Sequence, residues 1–275
     1  MADKFGRRAH LAVGDECLAG PLEHKPSIAS LSYQMVGAPS VASQEHSFET
    51  EEIAVNIGIL GTGNLAVTLG QAWAPAGHSL LVTGRDSLHA KAAADQIGPP
   101  AKAVDPTDLA TRVDALVVAV PWEGLEEALS LVGAPEGSLA GKAVIDCTNP
   151  VDYTTCELKP TAGSAAALVA HTAPGAHVVK ALHLFAGASW PYVGPQESAP
   201  VVAICGDDSG ALDRAAALIQ DLGAWPAVVG GLNCARQLEE AAGFVMRVVM
   251  AGYNPRLAVP DVDPALLRAA QTAID

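Results

Sequence analysis

The stretch Ile57 to Asp86, IGILGTGNLAVTLGQAWAPAGHSLLVTGRD, constrains this chain more than any other. An apolar run ends at Leu60 and enters Gly61-Thr62-Gly63-Asn64-Leu65-Ala66, a GxGxxA form of the strand-to-helix turn that cradles a dinucleotide diphosphate. Gly61 permits the tight turn, Gly63 lets an anion approach bare backbone, and Ala66 is small enough for helix to pack on strand. The helix that opens there presents unpaired N–H groups and a partial positive charge. Leu65, Leu69, Ala72 and Ala76 then share one face at helical spacing, until Pro75 and Gly77 stop the helix. A second strand, Ser79 to Val82, runs into Thr83-Gly84-Arg85. A carboxylate at that place meets a free ribose 2′-hydroxyl, and an arginine meets a 2′-phosphate. Arg85 therefore points to NADP(H) over NAD(H), with Asp86 as the opposing signal.

Beyond this unit the chain keeps alternating. Ser87 or Asp86 caps a helix reaching Ile97, ended by Gly98-Pro99-Pro100. A short strand follows near Ala101 to Val104, and Thr107 is the expected cap of another short helix. The continuous apolar run Ala115 to Val120 is the mark of a strand buried on both faces of a parallel sheet. It stops at Pro121-Trp122, and the next strand, Lys142 to Cys147, ends in Thr148-Asn149-Pro150. Such alternation predicts an α/β fold, a doubly wound parallel Rossmann sheet with a small C-terminal α/β part, whose ligand crevice lies outside the strand carboxyl ends. Pro121, Trp122, Asn149 and Pro150 fall at that crevice. Ser164 caps a helix over Ala165 to His171, and a strand from His177 to Leu182 ends at His183. The Gly- and Pro-rich segment Phe185 to Ser198, with Trp190 and Tyr192, is expected to be a loop over the crevice. Pro200 to Cys205 and Trp225 to Val229 are two more strands flanking a helix that ends at Gly223. The last helix, about Cys234 to Met250, has an apolar surface broad enough to face a second subunit as well as its own sheet.

The expected organisation is an N-terminal extension over 1–52, a cofactor domain over 53–185, a small substrate and dimerisation domain over 186–255, and a tail over 256–275 with a short helix after Pro264. Pro21, Pro26 and Pro39 break up the extension, which keeps no helical or strand period; a disordered arm, a cover for a neighbouring subunit and an over-long gene start all fit it. His10, His24 and His46 lie there without ligand spacing.

Charge limits the partners. Sixteen basic against thirty acidic residues leave −14, which argues against nucleic acid and anionic membrane, because phosphate binding needs a basic surface. An anionic cofactor must then be held by local amides and a few cations. No apolar run approaches bilayer length, and Gly14, Asp15 and Glu16 interrupt any secretory segment after Arg7 and Arg8, so a cytoplasmic protein is expected. Cys17, Cys147, Cys156, Cys205 and Cys234 contain no CxxC pair and are read as free thiols, with no metal site.

Several motifs, in order, resemble the NADPH-dependent coenzyme F420 reductases: GTGNL at Gly61 to Leu65, Gly84-Arg85, VPWE at Val120 to Glu123, Ser164-Ala165-Ala166, Ala181-Leu182-His183, CGDD at Cys205 to Asp208, and Arg236 with Glu239. They span roughly residues 54 to 250. The resemblance implies hydride transfer between nicotinamide C4 and deazaflavin C5, with coenzyme F420 as co-substrate; the broad apolar surface of the last helix is what predicts a homodimer. It implies Thr62 and Arg85 at the 2′-phosphate and His183 beside the reacting rings, as the catalytic candidate. Gly61, Gly63, Asn64, Leu65, Val120, Pro121, Asn149, Pro150 and Ala181 complete the cofactor side, and Trp122, Ser164, Leu184 and Phe185 the substrate side. The sequence departs from the family pattern at Ala66, at Gly84, where a phosphate-binding serine is common, and at Leu184-Phe185-Ala186. The last departure touches the acceptor side. A reductase acting on another acceptor, such as an imine or an unsaturated biosynthetic intermediate, is the alternative, and a non-catalytic NADP(H)-binding sensor is the third reading. Hydride transfer needs positioning and exclusion of water rather than a nucleophile, and His183 is expected to donate a hydrogen bond to the reduced acceptor.

Overall fold

A computed structural model describes residues 54–263, 265 and 266. The N-terminal extension with its histidines and Cys17, and all of the chain after Pro264 except residues 265 and 266, lie outside the described residues.

Eight strands form one sheet in the order β3-β2-β1-β4-β5-β6-β7-β8. They are β1 (Asn56–Leu60), β2 (Ser79–Thr83), β3 (Lys102–Ala103), β4 (Ala115–Val118), β5 (Ala143–Asp146), β6 (His177–Lys180), β7 (Val201–Gly206) and β8 (Trp225–Val228). The first six are parallel, and the order reverses between β1 and β4, which opens a crevice beyond Leu60 and Val118. β7 joins β6 antiparallel, pairing Lys180 with Cys205, and β8 runs parallel to β7. Together with the helix between them these strands make the small C-terminal α/β part.

The uniform apolar runs sort by alternation. Ile57, Ile59, Leu80, Val82, Val117 and Ile145 face one core with α1 (Asn64–Trp73), α2 (Ser87–Ile97) and α6 (Ser209–Asp221). Leu60, Leu81, Leu116, Val118 and Val144 face the other with α3 (Pro106–Arg112), α4 (Leu125–Leu131), α5 (Ala165–Thr172) and α7 (Ala235–Met250). On the first face the buried Trp73 indole donates to the Leu218 carbonyl at 2.8 Å and locks α1 to α6.

Side-chain caps set the helix starts. Asp86, rather than Ser87, caps α2 by accepting from the Leu88 and His89 amides. Its carboxylate is thereby engaged in the fold. The expected Thr107 cap is corrected to Asp105, because Pro106 occupies the first helical position and Asp105 accepts from both the amide and the hydroxyl of Thr107. Ser164 caps α5 and Asp208 caps α6.

Candidate functional site

The glycine turn is wedged between two strand ends. The Gly61 amide donates to Thr83 of β2, while the Ala119 amide after β4 donates to Leu60. At φ +137°, Gly61 holds a conformation that a Cβ disfavours, and a Cβ there would also meet the Ala119 carbonyl. Gly63 is different: its backbone is extended, and a Cβ would meet nothing within 4 Å. The open space lies beside the first turn of α1, which has neither a side-chain cap nor an acidic residue. Unpaired amides facing an empty approach are what a diphosphate requires.

From this turn a cavity of about 420 Å³ runs between Gly84-Arg85 and the β4–α4 segment, lined by Thr62, Val120 and Pro121 among others. Gly84 lies where a Cβ would stand 3.1 Å from the Thr62 methyl, so its smallness leaves that side chain its room. Arg85 is 78 % exposed and faces Glu127 of α4, with 3.9 Å between charged atoms. Leu65 turns its side chain to the core, so only its amide is offered to a ligand.

The ends of β5 and β6 are tied by a buried ammonium that no motif along the chain announces. Lys180, fully buried at the end of β6, ion-pairs with Asp146 at 3.0 Å and Glu239 at 2.9 Å and donates to the Thr148 carbonyl. Asp146 in turn accepts from the Thr148 amide, so this turn is gripped on both sides. Glu239 accepts from the Ala165 and Ala166 amides and completes the N-terminus of α5. Burial opposes the Lys180 charge, but the two carboxylates outweigh it and hold its pKa above the ordinary value. Burial pushes Glu239 up, against the pull of Lys180.

Four polar atoms around these turns are buried without a protein partner among the described residues: Thr148 Oγ1, Asn149 Oδ1, His183 Nδ1 and Trp190 Nε1. Buried polar groups are normally satisfied, so their presence at the carboxyl ends of β5 and β6, and in the loop that follows, fits a site that receives a polar ligand. The bare turn and these atoms together fit a nicotinamide dinucleotide lying across the strand ends.

His183 is reached through Leu182, whose φ of +59° turns the chain sharply after β6. Its Nε2 lies 2.9 Å from the Leu238 carbonyl. A carbonyl only accepts, so Nε2 carries the proton and Nδ1 is the free acceptor. The expectation that His183 donates to a reduced acceptor does not fit this geometry, which leaves Nδ1 of the neutral ring as an acceptor without a partner. Burial, and then the neighbouring Lys180 charge, lower its pKa to about 3. An unfolded histidine gains its proton as pH falls below about 6.5, whereas the folded one does not. Stability contributed by the neutral ring is complete above that value and is lost as pH falls toward 3, by up to about 1.4 kcal/mol per pH unit. Urea unfolding of His183→Gln should show a shallower decline between neutral pH and pH of about 4; curves parallel to the parent's would contradict this.

The other expected residues divide. Ala181 is buried behind the turn, Pro150 is buried beside Asn149, and the Asn64 carbonyl is taken by the Thr68 hydroxyl within α1. Trp122 packs against the second core rather than toward the cavity. Ser164 spends its oxygen on the α5 cap. Phe185 packs on Trp190 with ring centroids 5.2 Å apart, and Leu184 is partly exposed. In the CGDD motif Asp207 accepts from the Leu232 amide and Asp208 caps α6, so both aspartates serve the fold. Arg236 pairs with Glu240 and donates to the Pro160 and Gly163 carbonyls, leaving Glu239 to Lys180. The described cysteines are free, and burial raises Cys205 to about 11. Among the described residues no cluster suited to a metal ion and no helix long and apolar enough to cross a membrane occurs.

The crevice and its glycine turn have counterparts in known proteins. Residues 56–150 match the model of the family described as NADP oxidoreductase, coenzyme F420-dependent. This segment is similar to that family over about a third of the chain. The family match ends at Pro150, before His183 and the loop that follows it. A solved structure from Arthrobacter sp. fb24, whose name assigns it F420-dependent NADP reduction, is 26 % identical, with a TM-score of 0.62 over 73 % of this chain and 96 % of that one. The rat metalloreductase STEAP3 is 28 % identical over 192 residues, 70 % of this chain; the chain spans 37 % of the length of that curated relative. An imine reductase from Myxococcus stipitatus, at 18 % identity and a TM-score of 0.54 over 73 % of this chain and 63 % of that one, shares the fold.

Proposed function

We propose that the protein is an oxidoreductase that transfers a hydride between NADP(H) and coenzyme F420. The observation that carries the nucleotide half is the bare Gly63 approach beside the uncapped start of α1, with Arg85 lining the same cavity. The deazaflavin half is supported by the family of residues 56–150 and by the Arthrobacter relative. In this reading residues 53–185 hold the nucleotide, and residues 186–255 close the acceptor side and carry the exposed Phe244, Val249 and Met250 of α7 toward a second subunit.

Bound together, the two ring systems supply the redox chemistry, a hydride passing between nicotinamide C4 and deazaflavin C5. The chain's own work is placement. The amides of Asn64, Leu65 and Ala66 bind the diphosphate, and Thr62 and Arg85 take the 2′-phosphate. His183 Nδ1 accepts a hydrogen bond from a ring or carboxamide N–H. The Phe185–Trp190 pair keeps water from the rings. A second reading, reduction of another acceptor such as an imine, is favoured by one observation: the family match stops before the residues that would face the acceptor.

Mixing the protein with NADPH and F420 and following deazaflavin absorbance separates the two. Turnover supports the first; NADPH binding without F420 turnover removes it, and NADPH oxidation on adding an imine supports the second. In the same preparation Arg85→Ala should weaken NADPH roughly tenfold or more and NADH much less, since a charge-assisted contact contributes about 1.5 to 3 kcal/mol. Equal losses for both nucleotides would remove the 2′-phosphate assignment.

A further inference from the structure

We propose that Glu127 is a specificity-determining residue that opposes the 2′-phosphate and so limits how strongly this pocket prefers NADP(H) to NAD(H); this rests on the nucleotide reading above. Glu127 lies in the first turn of α4, on the segment that walls the cavity together with Gly61, Gly63 and Arg85. Its carboxylate lies 3.9 Å from the Arg85 guanidinium, so the cation meant for the phosphate already has an anion across from it.

The neighbouring carboxylates are otherwise engaged. Glu123, on the same wall, is paired with Lys159. Asp86 is held by the first amides of α2. Among the described residues Arg85 is the cation that Glu127 faces. Both side chains are mostly exposed, so the pair itself is weak and yields easily to a stronger ligand. The consequence appears once a phosphate takes the guanidinium. A group carrying between one and two negative charges then lies beside a carboxylate that has lost its partner, and like charges at this range repel even with water-like screening. NADH brings no such group, so Glu127 is silent toward it.

The test is direct titration of the full chain with NADPH and with NADH at low salt, read as dissociation constants from calorimetry, for the parent, Glu127→Gln, Arg85→Ala and the variant that combines the two. Glu127→Gln should tighten NADPH about five- to tenfold and move NADH less than about twofold, and the gain should shrink at high salt. In the Arg85→Ala background the same change should help NADPH at least as much, because the carboxylate there has no counter-charge to damp it. A glutamine variant that leaves NADPH unchanged, weakens it, or shifts both nucleotides alike overturns the inference while the Arg85 result still stands. A parent chain that binds no NADPH overturns the nucleotide reading and this inference with it. The site is exposed, so an unchanged unfolding midpoint serves as the check that folding is intact.

Discussion

Lys180→Met is expected to remove about 3 to 5 kcal/mol of folding stability, a large share of the roughly 5 to 15 kcal/mol that holds a protein of this kind together. The methionine fits the space, but it leaves Asp146 and Glu239 buried with no cation between them and the Thr148 carbonyl without its donor. A buried charge stripped of its partner is far costlier than a buried pair is helpful. The expected result is therefore asymmetric. Converting the whole group to Asp146→Asn, Lys180→Met and Glu239→Gln should recover much of the loss, since no charge then remains to be desolvated. Urea unfolding with unchanged slope measures both. Should Lys180→Met fall within about 1 kcal/mol of the parent, the triad is not the tie that its geometry makes it.

The effect would reach the crevice too. Lys180 grips the Thr148-Asn149 turn, Glu239 fixes the start of α5, and the neighbouring Leu238 carbonyl holds His183. The elements that present unpartnered polar atoms to the site from β5 and β6 are thus tied to one ammonium.

Little of this is visible along the chain, although Glu239 belongs to one of its motifs. Asp146 and Lys180 are 34 residues apart, each a lone charge at the end of a run that otherwise reads as apolar strand. Only the pairing of β5 with β6 sets them side by side. The strand sequence VVKAL holds the one clue, a lysine where both faces of the sheet are covered. By contrast the first crossover is legible, because its signals are local: a glycine that must turn, an apolar stripe at helical spacing, and breakers at the end. The Asp105 cap escapes for an equally local reason, a proline at the first helical position that moves the cap back by two residues. The antiparallel entry of β7 is not legible, since a Gly- and Pro-rich loop states that the chain turns but not where it returns. The His183 tautomer is hidden for a third reason. It depends on a carbonyl 55 residues away.

The second large effect separates the two glycines of the turn. Gly61→Ala places a Cβ against the Ala119 carbonyl, 2.8 Å from its carbon, at a φ of +137° that alanine rarely adopts. Neither partner has freedom to retreat, because Gly61 is bonded to Thr83 and Ala119 to Leu60 at the ends of three adjacent strands. The chain must break those bonds or tilt the turn, with a stability loss of about 2 to 4 kcal/mol and NADPH binding weakened about a hundredfold or more. Gly63→Ala should behave otherwise. Its Cβ meets no protein atom within 4 Å and its backbone is one that alanine accepts, so the only loss is a poorer helix cap and the unfolding midpoint should stay within about 4 °C of the parent. The new methyl would occupy the approach left for the diphosphate, and NADPH should bind at least about tenfold more weakly. Stability and affinity would then fall together at one glycine and part at the other. If Gly63→Ala binds NADPH as the parent does, the empty space beside α1 is not where the diphosphate lies.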